Sequence, residues 1–463
     1  MHDYRLAPDD APPLVRSLAR GWLWLGVAAL IGSGLLAILL VLSRTPGIQN
    51  VFPLRDFFRS ALVVHVDLSV LIWFMAFASV LWTLAGNGAL AALGRAALWL
   101  ASAGTLLMTV SPFFPDAHPL LNNYIPVLEQ PVFFAGLGTA GLGFALAILR
   151  ALLTIRPGLG ANAETTMPPG GLKVSPGGTA TMRTATLLGA IAGAVAIAAV
   201  AASWLQLPPG EGQAYWEAFF WGGGHALQFQ HALLMLVAWF WLASALGEAP
   251  ALGPRAASAL FALAALPILA VPAIQVQWPA GHGLHTAYFA RLMEAGHPLM
   301  LPLMVFAAHA LWRARARRDP AKSALVASFL LFAVGGTLAY MIKGVNVVIP
   351  AHYHGSIVGV TLAFMGLAYV LLPRLGFRDV ADWRMARWQP YVYGGGQLIH
   401  ILGLGWSGGY GVQRKVAGAE QVLTTLPQKI GMGMMGLGGL IAIIGGVMFV
   451  LVCLRAMWRG PTD

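Results

Sequence analysis

Apolar residues run through this chain in long unbroken stretches. They lack the strict alternation of a half-buried strand and the one-sided spacing of a surface helix. Twelve stretches stand out, at about positions 21–43, 60–85, 90–111, 129–155, 183–206, 215–246, 254–278, 292–312, 323–342, 347–375, 389–408 and 429–457. Each approaches the roughly twenty residues of helix that cross a bilayer. Backbone amides in lipid must be satisfied within their own segment, so the stretches predict helices. Glycine-rich patches inside several of them predict close helix–helix contact. The pattern predicts an all-α polytopic membrane protein, residues 1–463 forming a single transmembrane domain of about twelve helices.

Composition sharpens the solvent. The chain is 58% hydrophobic and only 10% charged, where a soluble domain carries about 25% charged residues. Such a chain cannot cover a water-facing surface. The first stretch, from Gly21, is too long for a signal-peptide core and has no small-residue cleavage pattern, so it reads as a retained span. The single cysteine, Cys453, excludes a disulfide framework, a CxxCH haem attachment and an all-cysteine metal site.

The net charge of +11 invites a nucleic-acid reading, and its distribution removes it. With the N-terminus in the cytoplasm, twenty of the 28 lysines and arginines fall inside, among them Arg313, Arg315, Arg317, Arg318, Arg374, Arg378, Arg384 and Arg387. Eight fall outside: Arg44, Arg55, Arg59, Arg291, Lys343, Arg414, Lys415 and Lys429. This is the positive-inside bias, a topology signal. It predicts cytoplasmic N- and C-termini and no nucleic-acid partner.

Histidine inside a membrane is costly unless it pairs or works. His65 lies near the start of the second stretch, His225 near the start of the sixth, and His352 and His354 near the start of the tenth. In alternating topology these four share a depth toward the outer leaflet. One layer of imidazoles from three helices is what a shared metal cofactor requires. In Ala351-His352-Tyr353-His354-Gly355 the two histidines are turned by about 200° on a helix. One helix then serves two cofactors on opposite sides, the competing use being to line a water-filled cavity.

At this point a resemblance becomes specific. The run VVIPAHYHGSIVGVTLAFMG resembles the tenth helix of haem–copper oxidase subunit I. In that family the first histidine binds the high-spin haem of the active site. The second binds the low-spin haem, opposite a histidine on the second helix. His65, in ALVVHVDLSVLIWFMAF, is similar to that partner. The resemblance thus implies that His65 and His354 clamp a six-coordinate low-spin haem and that His352 holds a five-coordinate high-spin haem, both b-type. It continues in QLIHILGLGWSGGYGVQRK, where Arg414 and Lys415 would pair with haem propionates or act as interfacial anchors.

The sixth stretch, FFWGGGHALQFQH, resembles the oxidase segment His-Pro-Glu-Val-Tyr, whose histidine binds a second metal, copper or non-haem iron. His225 takes that place. Ala226 and Leu227 replace the proline and glutamate, and Phe229 replaces the tyrosine. In oxidases that tyrosine supplies an electron and a proton for cleaving O2. No tyrosine occurs between Ala256 and Thr286, where another oxidase group carries it. Joining two NO molecules into N2O needs two electrons, two protons and no tyrosyl radical. The departure therefore favours NO. The lost glutamate removes the end of the family's usual proton-pumping route.

The adjacent His-His pair of the family's seventh helix is also missing. In one register Ile274 and Gln275 stand there. In the other, His282 and His285 reach the metal from the following loop, where Pro279, Gly281 and Gly283 argue against regular helix. A stable site normally needs three or more protein ligands, so His225 alone would hold a metal weakly.

The resemblance implies a membrane-bound haem oxidoreductase of a respiratory chain, in a bacterial cytoplasmic (inner) membrane. It would reduce nitric oxide to nitrous oxide at a high-spin haem and second-metal centre. The alternatives are a terminal oxidase reducing O2 to water and a haem electron-transfer or gas-sensing protein with no second metal. The chain holds no donor domain of its own, so electrons would arrive from a cupredoxin-like or cytochrome c subunit on the outer face, or from quinol.

Overall fold

The computed structural model describes residues 3–6, 11–44, 57–158, 176–414 and 422–458. Lys415 lies outside them. The helices are α1 (Pro13–Arg44), α2 (Phe57–Val66), α3 (Trp73–Ala85), α4 (Ala91–Val110), α5 (Pro131–Thr154), α6 (Pro176–Gln206), α7 (Gly212–Ala245), α8 (Pro254–Ala265), α9 (Ala270–Gln277), α10 (Gly283–Gly296), α11 (Leu301–Arg313), α12 (Pro320–Ala339), α13 (Val348–Arg374), α14 (Arg384–Gly409) and α15 (Leu426–Trp458). A two-stranded antiparallel hairpin, β1 (His118–Leu120) and β2 (Val127–Glu129), pairs His118 with Glu129 between α4 and α5.

Helix starts follow from local chemistry. Proline opens α5, α8 and α12, where its missing N–H costs nothing. Gln130 caps α5 by accepting from the Phe133 amide, and Asp319 caps α12 by accepting from the Ala321 amide at 2.7 Å. Three spans are composite. A π-helical turn, Asp67–Ile72, joins α2 to α3, and short 3-10 turns join α8 to α9 and α10 to α11.

Among the described residues eleven helical segments are long and apolar enough to cross a membrane. The expected stretch at 389–408 is the exception to the count of twelve. It lies in α14, a continuous helix of 26 residues that is too polar to qualify. Its buried Gln389 finds partners inside the protein. Gln389 accepts from the Tyr369 hydroxyl at 3.0 Å and donates to the Gly445 carbonyl at 3.2 Å. A second departure follows Pro279. The glycines there precede a helix and do not interrupt one: Gly281 turns the chain at φ +86°, and α10 begins two residues later.

The chain divides into two compact units. The first comprises residues 1–39, 54–244 and 249–310; the second comprises 40–53, 245–248 and 311–463. In the first, α7 is the central helix: 89% of its most apolar stretch is buried, and Trp239, Phe240 and Trp241 are inaccessible. A helix apolar on all sides belongs in the middle of a bundle. In the second unit α13 has that place, 83% buried over its most apolar stretch. Around it Leu331, Leu338, Ala351, Val358, Leu362, Ile401 and Leu404 form one apolar cluster. The two most enclosed helices are those that bear His225 and the His352/His354 pair.

Candidate functional site

His65 is the penultimate residue of α2, one position before Val66 leads into the π turn. Its Nδ1 lies 2.9 Å from the Ser33 carbonyl on α1 and 3.0 Å from the Ser33 hydroxyl. A ring nitrogen facing a carbonyl must carry the proton, so Nε2 keeps its lone pair. The Ser69 hydroxyl, within the π turn, donates to the His65 carbonyl at 2.7 Å. Single π turns inside α-helices recur at functional sites. Two residues on, Asp67 is buried, with Oδ2 making no hydrogen bond.

His352 repeats the device in the second unit. Its Nδ1 donates to the Gly335 carbonyl on α12 at 2.8 Å, again leaving Nε2 open. The close approach depends on glycine. A Cβ at Gly335 would lie 2.7 Å from the Gly355 carbonyl carbon and nearer still to the Ser356 nitrogen. His354 turns to the other side of α13, where its ring stands 5.0 Å from that of His400 on α14. The spacing of two residues thus sends one imidazole toward α12 and the other toward α14. The His400 Nδ1 donates to the Met435 carbonyl at 2.9 Å. Arg414 follows the turn after α14. The Val412 carbonyl beside it accepts from the Val347 amide at 3.0 Å, which ties this turn to the start of α13.

His225 differs. It is buried in the first unit, and both ring nitrogens are engaged. Nδ1 donates to the Trp221 carbonyl at 2.6 Å. Nε2 lies 2.8 Å from the hydroxyl of Tyr124, which reaches in from the loop between β1 and β2. That phenol titrates above its ordinary range, through desolvation first and the negative charge of Glu217 second. The Gly222-Gly223-Gly224 run explains how so much crowds α7. A Cβ at Gly222 would meet Gln275 and Phe289, one at Gly223 would meet α6, and one at Gly224 would meet the Tyr124 side chain. Phe229, at the position of the expected tyrosine, is buried and stacks on His297 with ring centroids 4.6 Å apart.

His282 and His285 part company. His282 is exposed and caps α10, its Nδ1 accepting from the Leu284 amide at 3.1 Å. His285 is buried one turn into α10, with Nε2 3.1 Å from the side-chain oxygen of Gln275. That oxygen can only accept, so Nε2 carries the proton. Gln275 in turn donates to Ser203 and to Gln206, at 3.2 and 2.8 Å. The two registers weighed for this region therefore meet: Gln275 from α9 and His285 from α10 are bonded partners. Phe289 lies against both His225 and His285, with ring centroids 5.5 and 4.8 Å away. Among the described residues no three histidine, cysteine, aspartate or glutamate side chains come together as a metal-holding group.

Sequence reasoning missed Ser33, Gly335 and Tyr124. The first two act through backbone carbonyls, which have no residue signature. Tyr124 lies in the loop between β1 and β2, outside the spans, where its residue type carries no signal of depth.

The chain matches the family described as cytochrome C and quinol oxidase polypeptide I over residues 17–448. It is 28% identical to an uncharacterized protein of Rickettsia prowazekii, over 96% of each chain. It is 27% identical to an uncharacterized protein of Aquifex aeolicus, over 77% of this chain and 85% of that one. Its fold is similar to that of a solved haem–copper terminal oxidase dimer, with TM-score 0.71 at 15% identity, covering 97% of this chain and 85% of that chain. The bundle is therefore that of a multi-pass, all-α membrane oxidoreductase of the haem–copper oxidase superfamily. Within that class the chain belongs to the cytochrome c and quinol oxidase polypeptide I family.

That family implies haems and a second metal, and the side chains suit the two unequally. His65 and His352 offer an Nε2 lone pair on a ring fixed by a carbonyl at Nδ1, the arrangement that orients metal-bound histidine. They fit haem iron. For the second metal the fit fails. His225 has no open nitrogen, and His285 retains only Nδ1.

Proposed function

We propose that this chain is a haem-dependent oxidoreductase that reduces nitric oxide to nitrous oxide. The observation behind the choice of gas is Phe229, buried against His297 where an O2-reducing relative would need a phenol. By family resemblance His65 and His354 hold a low-spin haem, and His352 holds a high-spin haem, both b-type. Bound haem supplies electron transfer and a site for the gas, while the chain supplies ligation, burial and oriented imidazoles. Arg414 and Lys415 answer the propionate charge. The two units work as one transmembrane domain in a bacterial inner membrane, termini in the cytoplasm. Electrons come from a cupredoxin-like or cytochrome c subunit outside, or from quinol.

A second reading is a haem electron-transfer or gas-sensing protein. It draws support from the lack of a three-donor group among the described residues. Tyr124 places a phenol beside His225, so O2 turnover is the outcome an assay must exclude. The purified protein, reduced by an artificial donor, should consume NO with formation of N2O and consume O2 slowly. Rapid, complete reduction of O2 to water would defeat the NO reading. Turnover of neither gas, with both haems present, would favour electron transfer or sensing.

A further inference from the structure

The histidines that resemblance assigns to metal are not equivalent. At His65 and His352 one nitrogen donates to a carbonyl and the other stays open. At His225 the first nitrogen does the same, with the Trp221 carbonyl at 2.6 Å, and the second receives the Tyr124 hydroxyl at 2.8 Å. The direction of that bond is settled by the ring: Nδ1 holds the only proton of a neutral imidazole, so Nε2 accepts and the phenol donates. The lone pair a metal would need is taken.

The phenol is held there by construction. The Glu217 carboxylate accepts from the Asn123 amide at 3.1 Å and from the Asn123 side chain. Gln213 donates to the Leu121 carbonyl at 2.9 Å. Glu129 accepts from the Gly212 amide and the Trp216 indole at 2.6 and 2.9 Å. The hairpin loop is thus fastened on both sides of Tyr124 to the first turns of α7. Gly224 leaves the space: a Cβ there would lie 2.5 Å from that of Tyr124. The Tyr124 ring also packs edge-on to Trp221, centroids 5.7 Å apart.

We infer that His225 is not a metal ligand in this chain: Tyr124 occupies its coordinating nitrogen, and the second-metal position of the family is closed by a phenol–imidazole pair. Among the described residues no three ligating side chains gather here to restore a site. The Gln275 oxygen is engaged by His285, and a single open nitrogen, Nδ1 of His285, remains between the two histidines. The pair is not a proton wire either, because the ring's far side ends on the Trp221 carbonyl, which takes no proton onward. Tyr124 is a positioning residue. Chemistry on a small gas in this chain then falls to haem iron alone.

The inference goes beyond the choice between NO and O2, and its test reads metal and not turnover. Full-length protein is purified with its haems, and non-haem iron, copper and zinc are counted against haem. Wild type and His225→Gln should show the same non-haem metal content. Loss of about one equivalent in His225→Gln, with haem content intact, overturns the inference. If that variant does not accumulate, metal-edge X-ray absorption on the wild type decides. A stoichiometric non-haem metal bound to imidazole overturns it; any other result upholds it. Tyr124→Phe adds a direct signature, since the His225 Nε2 nitrogen resonance should shift toward that of a free imidazole. An unchanged resonance would mean the pair does not form. Normal haem spectra with any of these outcomes leave the haem assignment standing, so the two readings fail separately.

Discussion

The sharpest test of the geometry is one methyl group at Gly335. A Cβ there would lie 2.7 Å from the Gly355 carbonyl carbon and 2.9 Å from its Cα, with the Ser356 nitrogen closer still. Comfortable carbon contact needs about 3.5 Å or more, so α12 and α13 must part by roughly 1 Å. Every atom in the way is backbone, and no side chain can rotate aside. Overpacking of this kind costs about 1–3 kcal/mol. Parting the helices also stretches the 2.8 Å bond from His352 to the Gly335 carbonyl, worth about 0.5–1.5 kcal/mol. Alanine returns roughly 0.5–1 kcal/mol in helix propensity, too little to cancel both. Gly335→Ala should therefore lower the thermal midpoint of the solubilised protein and perturb the high-spin haem band. Gly336 is the internal control: nothing stands within 4 Å of its Cβ position. Gly336→Ala should be neutral or slightly stabilising. Equal midpoints and equal haem spectra for the two variants would refute the proposed crossing and the carbonyl's role in aiming His352.

Three further outcomes are expected. His65→Ala should abolish the low-spin haem signal and spare the high-spin one, while Ser33→Ala keeps both, because the 2.9 Å bond runs to a carbonyl the substitution retains. Optical spectra check this, and low-spin loss in Ser33→Ala would shift the aiming role to the hydroxyl. Gly224→Ala should evict the Tyr124 ring, so its destabilisation and that of Tyr124→Phe should not add in the double variant. Additive thermal midpoints would sink that coupling. Asp319 caps α12, and burial foremost raises its carboxyl above the ordinary value. A raised folded value means the folded state binds the extra proton, so this group's contribution is full below the ordinary carboxylate value of about 3.9 and falls as pH rises through the shifted one. Asp319→Asn keeps a capping oxygen and should flatten that slope in midpoint-against-pH scans; an unchanged slope would assign it to other groups.

The spans were legible because lipid admits few solutions: a long apolar run must be a helix, and a histidine inside one must have a purpose. The π turn after His65 was not, since Asp67-Leu68-Ser69 carries no mark of a widened ladder. Nor was α10, whose start the breakers at Pro279 and Gly281 seemed to forbid; a positive-φ glycine just ahead of a helix is a way into it. At 389–408 the sequence pattern predicts a span, and the structure has there a continuous helix too polar to qualify as one. Inside that helix Gln389 is satisfied by Tyr369 and Gly445.

The candidate site divides along the same line. Which histidines to propose as ligands follows from type and depth, because those are properties of single residues. What each imidazole can bind depends on the partner of its other nitrogen, and at His65, His225, His352 and His400 that partner is a backbone carbonyl. Any residue type can supply one, so sequence patterns are silent there. Yet the same silence hides a difference with chemical consequence. All four rings donate from Nδ1 and differ little in how they are held on that side, while the Nε2 of His225 is closed from a loop about a hundred positions away in the chain by a phenol seated over Gly224. A match by residue type alone puts His225 with the metal ligands. Counting its lone pairs takes it out.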